Sequence, residues 1–124
     1  MIIQIYRSEI NMDVFKTVET IEGLESFLEK NRPPEEIRKE LDLSYRIEGS
    51  SVIIFELRPF WNNPDEIMEC NIAKATYVKS KGYWKVFWQR ADLKWHSYSP
   101  CTTVKNIKEF VRLVEEDSYG CFWG

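Results

Sequence analysis

Cysteine, histidine, glycine and proline are all scarce in this sequence. Its 124 residues include three cysteines, one histidine, five glycines and five prolines. An odd number of cysteines without C-x-x-C spacing argues against a disulfide-rich secreted scaffold. The five scattered glycines make a glycine-rich phosphate loop implausible, and no dinucleotide, H-E-x-x-H or G-x-S-x-G motif occurs. The sequence therefore offers no recognisable catalytic motif, and we expect no cofactor.

Long hydrophobic runs are also missing. No run approaches the roughly 18 apolar residues that a membrane span requires. The opening MIIQIY is apolar, but it has neither a basic region nor a small-residue cleavage site, which argues against a signal peptide. Together with the unpaired thiols, these absences predict a cytoplasmic protein that does not act on membranes.

Apolar and aromatic residues, in contrast, are abundant. Hydrophobic residues make up 44% of the chain and aromatic residues 15%, with five Trp, six Tyr and seven Phe. This composition excludes a disordered chain, because burial of so much apolar surface offsets the entropy lost on folding. The length is typical of one domain. We predict a single domain over residues 1–124, in which residues 1–11 form a short strand or an extension.

The first third of the chain has helical signals. Apolar residues recur at three- and four-residue steps over 14–28, which predicts one buried helix face that includes Val14, Phe15 and Val18. Two prolines end this helix, and Pro34 begins a short second helix over 35–41.

Alternating apolar and polar residues predict about five strands after the helices. These strands are expected at 43–47, 52–57, 72–78, 83–89 and 95–98. Turn-forming residues at 59–64 predict a loop, followed by a helical turn through Met68. Trp88 is at an even position and Leu93 at an odd one, so the two would face opposite sides of one continuous strand. A strand changes its buried face only at a bulge or turn. We therefore predict a break at Arg90–Asp92.

The last part of the chain returns to a helical pattern. Asn106 followed by Glu109 is typical of a capping box and predicts a C-terminal helix. The aromatic segment 118–124 is expected to pack against the body of the protein. Strands flanked by helices predict an α+β protein with a single antiparallel sheet of about five strands, an N-terminal helix with a short second helix, and a C-terminal helix.

Four stretches resemble a family of small bacterial proteins known as the domain of unknown function 3024 family. They are LDLSYRIEGSSVIIFELRPFW (41–61), IAKATYVKSKGYWKVFW (72–88), RADLKWHSY (90–98) and YGCFWG (119–124). The resemblance covers roughly residues 12–124 and leaves 1–11 outside it. It implies a bacterial α+β protein, and it implies no activity, substrate or catalytic residue.

Charge is distributed unevenly along the chain. Residues 1–73 contain 8 basic and 15 acidic groups, whereas residues 74–100 contain 6 basic groups and one acidic group. This basic segment also contains seven Trp, Tyr and Phe residues. Basic side chains attract phosphates and aromatic rings stack on bases, so the segment suits a nucleic acid. Within 83–89, we predict that the face formed by Trp84, Val86 and Trp88 is buried in the core. The opposite face is predicted to form a small platform on which bases stack. The alternative is a structural sheet with solvated lysines.

A polar quartet at two-residue spacing follows this strand. It consists of Arg90, Asp92, Lys94 and His96. Asp92 beside His96 predicts an oriented imidazole, and Glu56 on a neighbouring strand extends the cluster, which together suit acid–base chemistry. Because the predicted break falls inside the quartet, the alternative is the solvated side of a hairpin with ion pairs worth about 0–1 kcal/mol.

The cysteines give weaker hypotheses. Cys101 lies five residues after His96, so a Cys–His dyad is one interpretation. Three Cys and one His have the right count for zinc but no recognisable ligand spacing, so we predict no metal. The alternative for Cys70, Cys101 and Cys121 is an inert thiol in the core.

We predict a non-enzymatic binding module that uses the basic, aromatic region 79–96 to hold a nucleic acid or an acidic protein surface. The expected ligand-binding residues are Lys81, Lys85, Arg90, Asp92, Lys94, His96 and Arg58. The alternative is a small enzyme in which Asp92, His96 and Glu56 are catalytic. A homodimer that buries the surplus aromatics is compatible with either.

Overall fold

The computed structural model describes the backbone of residues 4–123 and the side chains of residues 10–123. The elements are β1 (Gln4–Ile10), α1 (Val14–Asn31), β2 (Asp42–Gly49), β3 (Ser51–Phe60), β4 (Asn63–Val78), β5 (Tyr83–Gln89), β6 (Trp95–Ser97), β7 (Thr103–Val104) and α2 (Ile107–Glu116). A single 3-10 turn, Glu35–Ile37, lies between α1 and β2.

One sheet runs through the molecule in the order β1-β2-β3-β4-β5-β6, and β7 pairs with β5 beside β6. All neighbours from β2 onward are antiparallel, whereas β1 pairs with β2 in parallel. The predicted α+β class, with its N-terminal and C-terminal helices, is confirmed. β1 lies within residues 1–11, where we expected a short strand or an extension, and residues 1–3 lie outside the described residues.

Both helices pack on the same face of the sheet. The core joins Leu24, Phe27 and Leu28 of α1 and the apolar face of α2 to inward-facing strand residues. Those strand residues are Leu43, Tyr45, Ile47, Val52, Ile54, Ala73, Ala75, Trp84 and Val86. The predicted burial of the Trp84 face of β5 is therefore confirmed.

The first turns of α1 differ from the prediction. Val14, Phe15 and Val18 are 74%, 87% and 48% exposed, so the buried face that we expected to begin with them starts only at Thr20. The reason is that only the later turns of α1, from Ile21 to Leu28, pack against the core cluster. Helical periodicity therefore identified the helix but did not show which of its turns are buried against the sheet.

The loop and helical turn predicted at 59–68 are wrong. β3 continues to Phe60 and β4 begins at Asn63, so the two strands form one long hairpin with a turn at residues 61–62. Pro64 is tolerated because it lies at the start of a strand that has no second neighbour there among the described residues. Cross-strand pairing thus overrides the local turn signals of the prolines and asparagines.

The second helix predicted over 35–41 is only the 3-10 turn Glu35–Ile37. Ile37 is its one large apolar side chain and is 42% exposed, so the segment has no buried face that would stabilise a longer helix. The two helices in the described part of the chain are α1 and α2, and neither is long and apolar enough to cross a membrane.

The end of the chain follows the prediction closely. The Asn106 side chain accepts a hydrogen bond from the Glu109 amide at 2.9 Å and caps α2. Phe122 of the tail is buried, and its ring lies 4.7 Å from that of Tyr98. The indole of Trp123 donates to the Val114 carbonyl at 2.7 Å, which fixes the tail on α2.

The predicted break inside the polar quartet is also present. β5 ends at Gln89 and β6 begins at Trp95. Leu93 between them has φ of 62°, the left-handed conformation that turns the chain back. The change of apolar parity in the sequence therefore marks a true hairpin turn.

Candidate functional site

The sheet has a second face that carries no helix, which we call the open face. Side chains alternate between faces along a strand, so residues between the core positions point to the open face. In β5 these are Tyr83, Lys85 and Phe87, and in β4 they include Lys74, which lies opposite Phe87 in the register. Phe87 in turn lies opposite Ser97 of β6, which places Trp95, two residues earlier, on the same face.

A cluster of cationic and aromatic groups occupies one end of the open face. We define the open-face cluster as Lys74, Lys85, Phe87 and Trp95. The Lys74 ammonium lies 5.6 Å from the centre of the Phe87 ring and 5.7 Å from that of Trp95. These distances are within the range of cation–π attraction, so Lys74 of β4 attracts one ring on β5 and one on β6. Both rings are half-buried, whereas Lys85 is exposed.

At the other end of the open face, the positive charge is paired with carboxylates. Arg46 of β2 lies 5.3 Å from the Phe55 ring centre and forms ion pairs with Glu48 at 2.9 Å and Glu69 at 3.4 Å. Phe55 beneath it is fully buried. The excess positive charge of the open face therefore lies on β4 and β5, near the open-face cluster.

Asp92 and His96 form a hydrogen bond across the β5–β6 turn. Nε2 of His96 is 2.8 Å from the Asp92 carboxylate, and the same carboxylate accepts from the Lys94 amide at 2.9 Å. The pKa of Asp92 lies below its ordinary value, first because of the Lys94 amide and then because of His96. The predicted contact between Asp92 and His96 is thus present on an exposed rim of the molecule, but a turn rather than a shared strand face brings the two side chains together.

The predicted binding residues are divided among several places. Lys85 is on the open face, whereas His96 lies opposite Trp88 on the helix side of the sheet. The Arg90 guanidinium stacks on Trp88 at 5.5 Å. Lys81 and Lys94 are exposed in the two turns that flank β5. The structure therefore brings Arg90, Asp92 and His96 to one rim, and Lys85 to the other face.

Glu56 and Arg58 lie on β3, away from this rim. They pair with each other at 3.3 Å. The register places β6 three strands from β3, a separation of roughly 14 Å at the usual strand spacing. Glu56 lines a pocket of about 290 Å³ with Leu43 and Trp123. Glu56 is thus not a neighbour of Asp92 and His96, and neither of those two lines this pocket.

The three thiols are free and half-buried. The Cys101 thiol donates to the Thr103 carbonyl at 3.3 Å, while His96 has Asp92 as its partner. Within residues 10–123, no group of three His, Cys, Asp or Glu side chains is arranged to hold a metal ion.

The sequence interpretation missed Lys74 and Trp95 as members of a site. The signal was present, because the four-residue turn 79–82 sets Val78 opposite Tyr83 and hence Lys74 opposite Phe87. Trp95 was harder to place, since its face depends on the conformation of residues 90–94.

The geometry defines an α+β protein with a mixed sheet covered on one side, whose open face carries a basic, aromatic cluster. Residues 12–124 match the model of a family described as a domain of unknown function, DUF3024, and the chain belongs to that family. No curated protein and no solved structure matches the chain.

Proposed function

We propose that the protein binds single-stranded nucleic acid on its open face through the open-face cluster. The observation that carries this proposal is the position of the Lys74 ammonium, 5.6 Å and 5.7 Å from the centres of the half-buried rings of Phe87 and Trp95, with Lys85 exposed on the same face. Aromatic faces on an uncovered sheet stack on unpaired bases, and neighbouring lysines attract the phosphates. A duplex hides its bases, so the proposed ligand is single-stranded.

The local charge supports this ligand. Residues 74–91 contain five basic residues and no acidic one. Lys81 and Lys85 are exposed there, so they remain accessible to a phosphate backbone. The polyanion therefore meets a positive surface even though the whole chain has a formal charge of −3.

The test measures binding of a fluorescein-labelled twelve-nucleotide oligo(dT) and oligo(U) by anisotropy at several salt concentrations. Lys81→Glu with Lys85→Glu is expected to abolish binding, because each change replaces phosphate attraction with repulsion. The matched control is Lys39→Glu with Lys108→Glu, two exposed lysines elsewhere that give the same change in net charge. Wild-type affinity is expected to fall linearly on a log–log plot against salt, with a slope of about −0.7 per phosphate contacted.

Stacking is tested separately from charge. Trp95→Ala is expected to weaken binding about tenfold, within the roughly 1–3 kcal/mol that one stacked base contributes. Trp61→Ala is the control, because Trp61 is 90% exposed at the tip of the β3–β4 hairpin, outside the cluster.

Several results would contradict the proposal. Absent or salt-independent binding of both oligonucleotides is one, and equal loss in the control lysine variant is another. If poly-glutamate binds as tightly as the oligonucleotides and Trp95→Ala leaves both affinities unchanged, the ligand is instead an acidic protein surface.

A further inference from the structure

The β3–β4 hairpin extends past the rest of the sheet. β4 pairs with β3 along residues 67–76 and again at Asn63, but with β5 only from Ala73 onward. In the described part of the chain, the other edge of β4 at 63–71 has no neighbouring strand. We call this stretch the arm edge. Backbone N–H and C=O groups alternate between the two edges of a strand, so part of this backbone is available for pairing.

The side chains of the arm edge are acidic and apolar. Residues 59–73 contain three carboxylates and no Lys or Arg. Ile67 and Glu69 lie opposite Pro59 and Leu57, on the open face of the sheet, and Ile67 is 65% exposed. Asp65 and Glu66 are exposed in the irregular stretch just before them. The pattern along the arm edge is therefore acid, apolar, acid.

The charge of the arm edge indicates which of three ligands fits it: a nucleic acid, a second copy of the chain or a strand of a partner protein. A nucleic acid is repelled by three carboxylates, so the ligand of the open-face cluster does not fit here. A second copy paired strand to strand through the same edge would set the acidic stretch of each chain against that of the other, which is destabilising. An incoming strand with Lys or Arg beside Asp65 and an apolar residue beside Ile67 forms favourable cross-strand pairs instead. Glu69 already forms an ion pair with Arg46 at 3.4 Å, so it contributes less to this attraction than Asp65.

We propose that the arm edge accepts an extended segment of a partner protein as an added strand, in which basic and apolar residues alternate at every second position. Main-chain hydrogen bonds supply the affinity, and the acid–apolar–acid pattern selects the segment. This interaction is independent of nucleic-acid binding, because the arm edge and the open-face cluster differ in position and in sign of charge.

The test uses a fluorescein-labelled nonapeptide, KTVTKTVTK, with blocked ends. Binding to the full chain is followed by anisotropy, and amide hydrogen exchange locates the contact. We expect measurable binding with new protection confined to residues 63–71. A peptide of the same composition with its lysines grouped at one end is expected to bind at least about fivefold more weakly, because it loses the alternating pairs.

Charge reversal gives a matched pair of variants. Asp65→Lys with Glu66→Lys is expected to weaken binding about tenfold, since two carboxylates of the arm edge that attract the basic peptide are replaced by lysines that repel it. Glu35→Lys with Glu36→Lys makes the same charge change at another exposed pair, in the 3-10 turn, and is expected to leave the affinity within twofold.

The proposal is overturned if the peptide does not bind at concentrations on the order of 1 mM. It is equally overturned if both charge variants weaken binding alike, or if protection appears outside 63–71. Sedimentation of the chain alone tests whether a second copy binds the arm edge instead. A dimer in which residues 63–71 are already protected from hydrogen exchange would show that it does.

Discussion

Gly23 of α1 and Ile107 of α2 lie so close that a Cβ added to Gly23 would be 2.5 Å from Cγ2 of Ile107. The absence of a side chain at Gly23 is therefore what lets the two helices approach at this point. A glycine inside a helix costs about 1 kcal/mol relative to alanine. The close approach of Ile107 explains why glycine occupies position 23 despite its lower helix propensity.

The first prediction concerns this contact. Gly23→Ala is expected to destabilise the protein by about 1 kcal/mol, because the strain of overpacking, roughly 1–3 kcal/mol, exceeds the gain in helix propensity. In an Ile107→Ala background, the same change is expected to become stabilising, since the clashing methyl is gone. Urea unfolding of the four proteins in the cycle measures both signs, and a destabilising Gly23→Ala in both backgrounds would contradict the explanation.

The second prediction concerns the ion pair that joins the end of α1 to the start of β2. Nε and Nη2 of Arg32 each lie 2.7 Å from a separate oxygen of Asp42. This hydrogen-bonded pairing with Arg32 is the main reason that the pKa of Asp42 lies below its ordinary value. A depressed pKa in the folded state stabilises the protein above the unfolded-state pKa of about 3.9, and this contribution is lost as pH falls through the folded-state pKa.

Asp42→Asn is therefore expected to lower the free energy of unfolding by about 2 kcal/mol at pH 7. The difference from wild type is expected to shrink steadily as the pH falls below about 4. Urea unfolding at a series of pH values makes the measurement. Asp65→Asn is the control, because this exposed carboxylate belongs to none of the described ion pairs, and its effect is expected within about 0.5 kcal/mol.

The third prediction concerns the C-terminal tail. Phe122 is 6% exposed and its ring packs against that of Tyr98, so Phe122→Ala is expected to destabilise the protein by about 3 kcal/mol. Tyr119, in the same tail, is 70% exposed, and Tyr119→Ala is expected to change stability by less than about 0.5 kcal/mol. Thermal unfolding of the two variants compares them. Equal, small effects would mean that the tail does not contribute to the core.

Local patterns in the sequence were enough to predict much of the fold. The parity change between Trp88 and Leu93 located a turn to within a few residues, because a strand whose apolar residues alternate with polar ones keeps the same face buried along its length. The Asn106 cap located the start of α2 for a similar reason, since the first amides of a helix need an acceptor. Both signals depend on residues close in sequence.

Features that depend on distant partners were not predictable in this way. The Asn and Pro residues around Trp61 resemble a loop, yet pairing between β3 and β4 makes them a hairpin tip. Val14 and Phe15 have the spacing of a buried stripe, but which turns of α1 are covered depends on the position of the sheet.

The candidate site was predictable in composition but not in arrangement. The basic, aromatic segment was evident from the charge distribution. Asp92 and His96 were expected to be neighbours, but on one strand face rather than across a turn. The division of Lys85 and His96 between opposite faces depends on how residues 90–94 turn, which one sequence does not specify. Glu56 was grouped with His96 although two strands separate β3 from β6.

The strand order has a consequence for how the chain folds. From β2 to β6, each strand pairs with the next one along the chain, so every step closes only a short loop. β1 differs, because its parallel pairing with β2 spans the whole of α1. Short loops close faster than long ones. The meander is therefore expected to assemble hairpin by hairpin, and β1 to join an edge that is already formed.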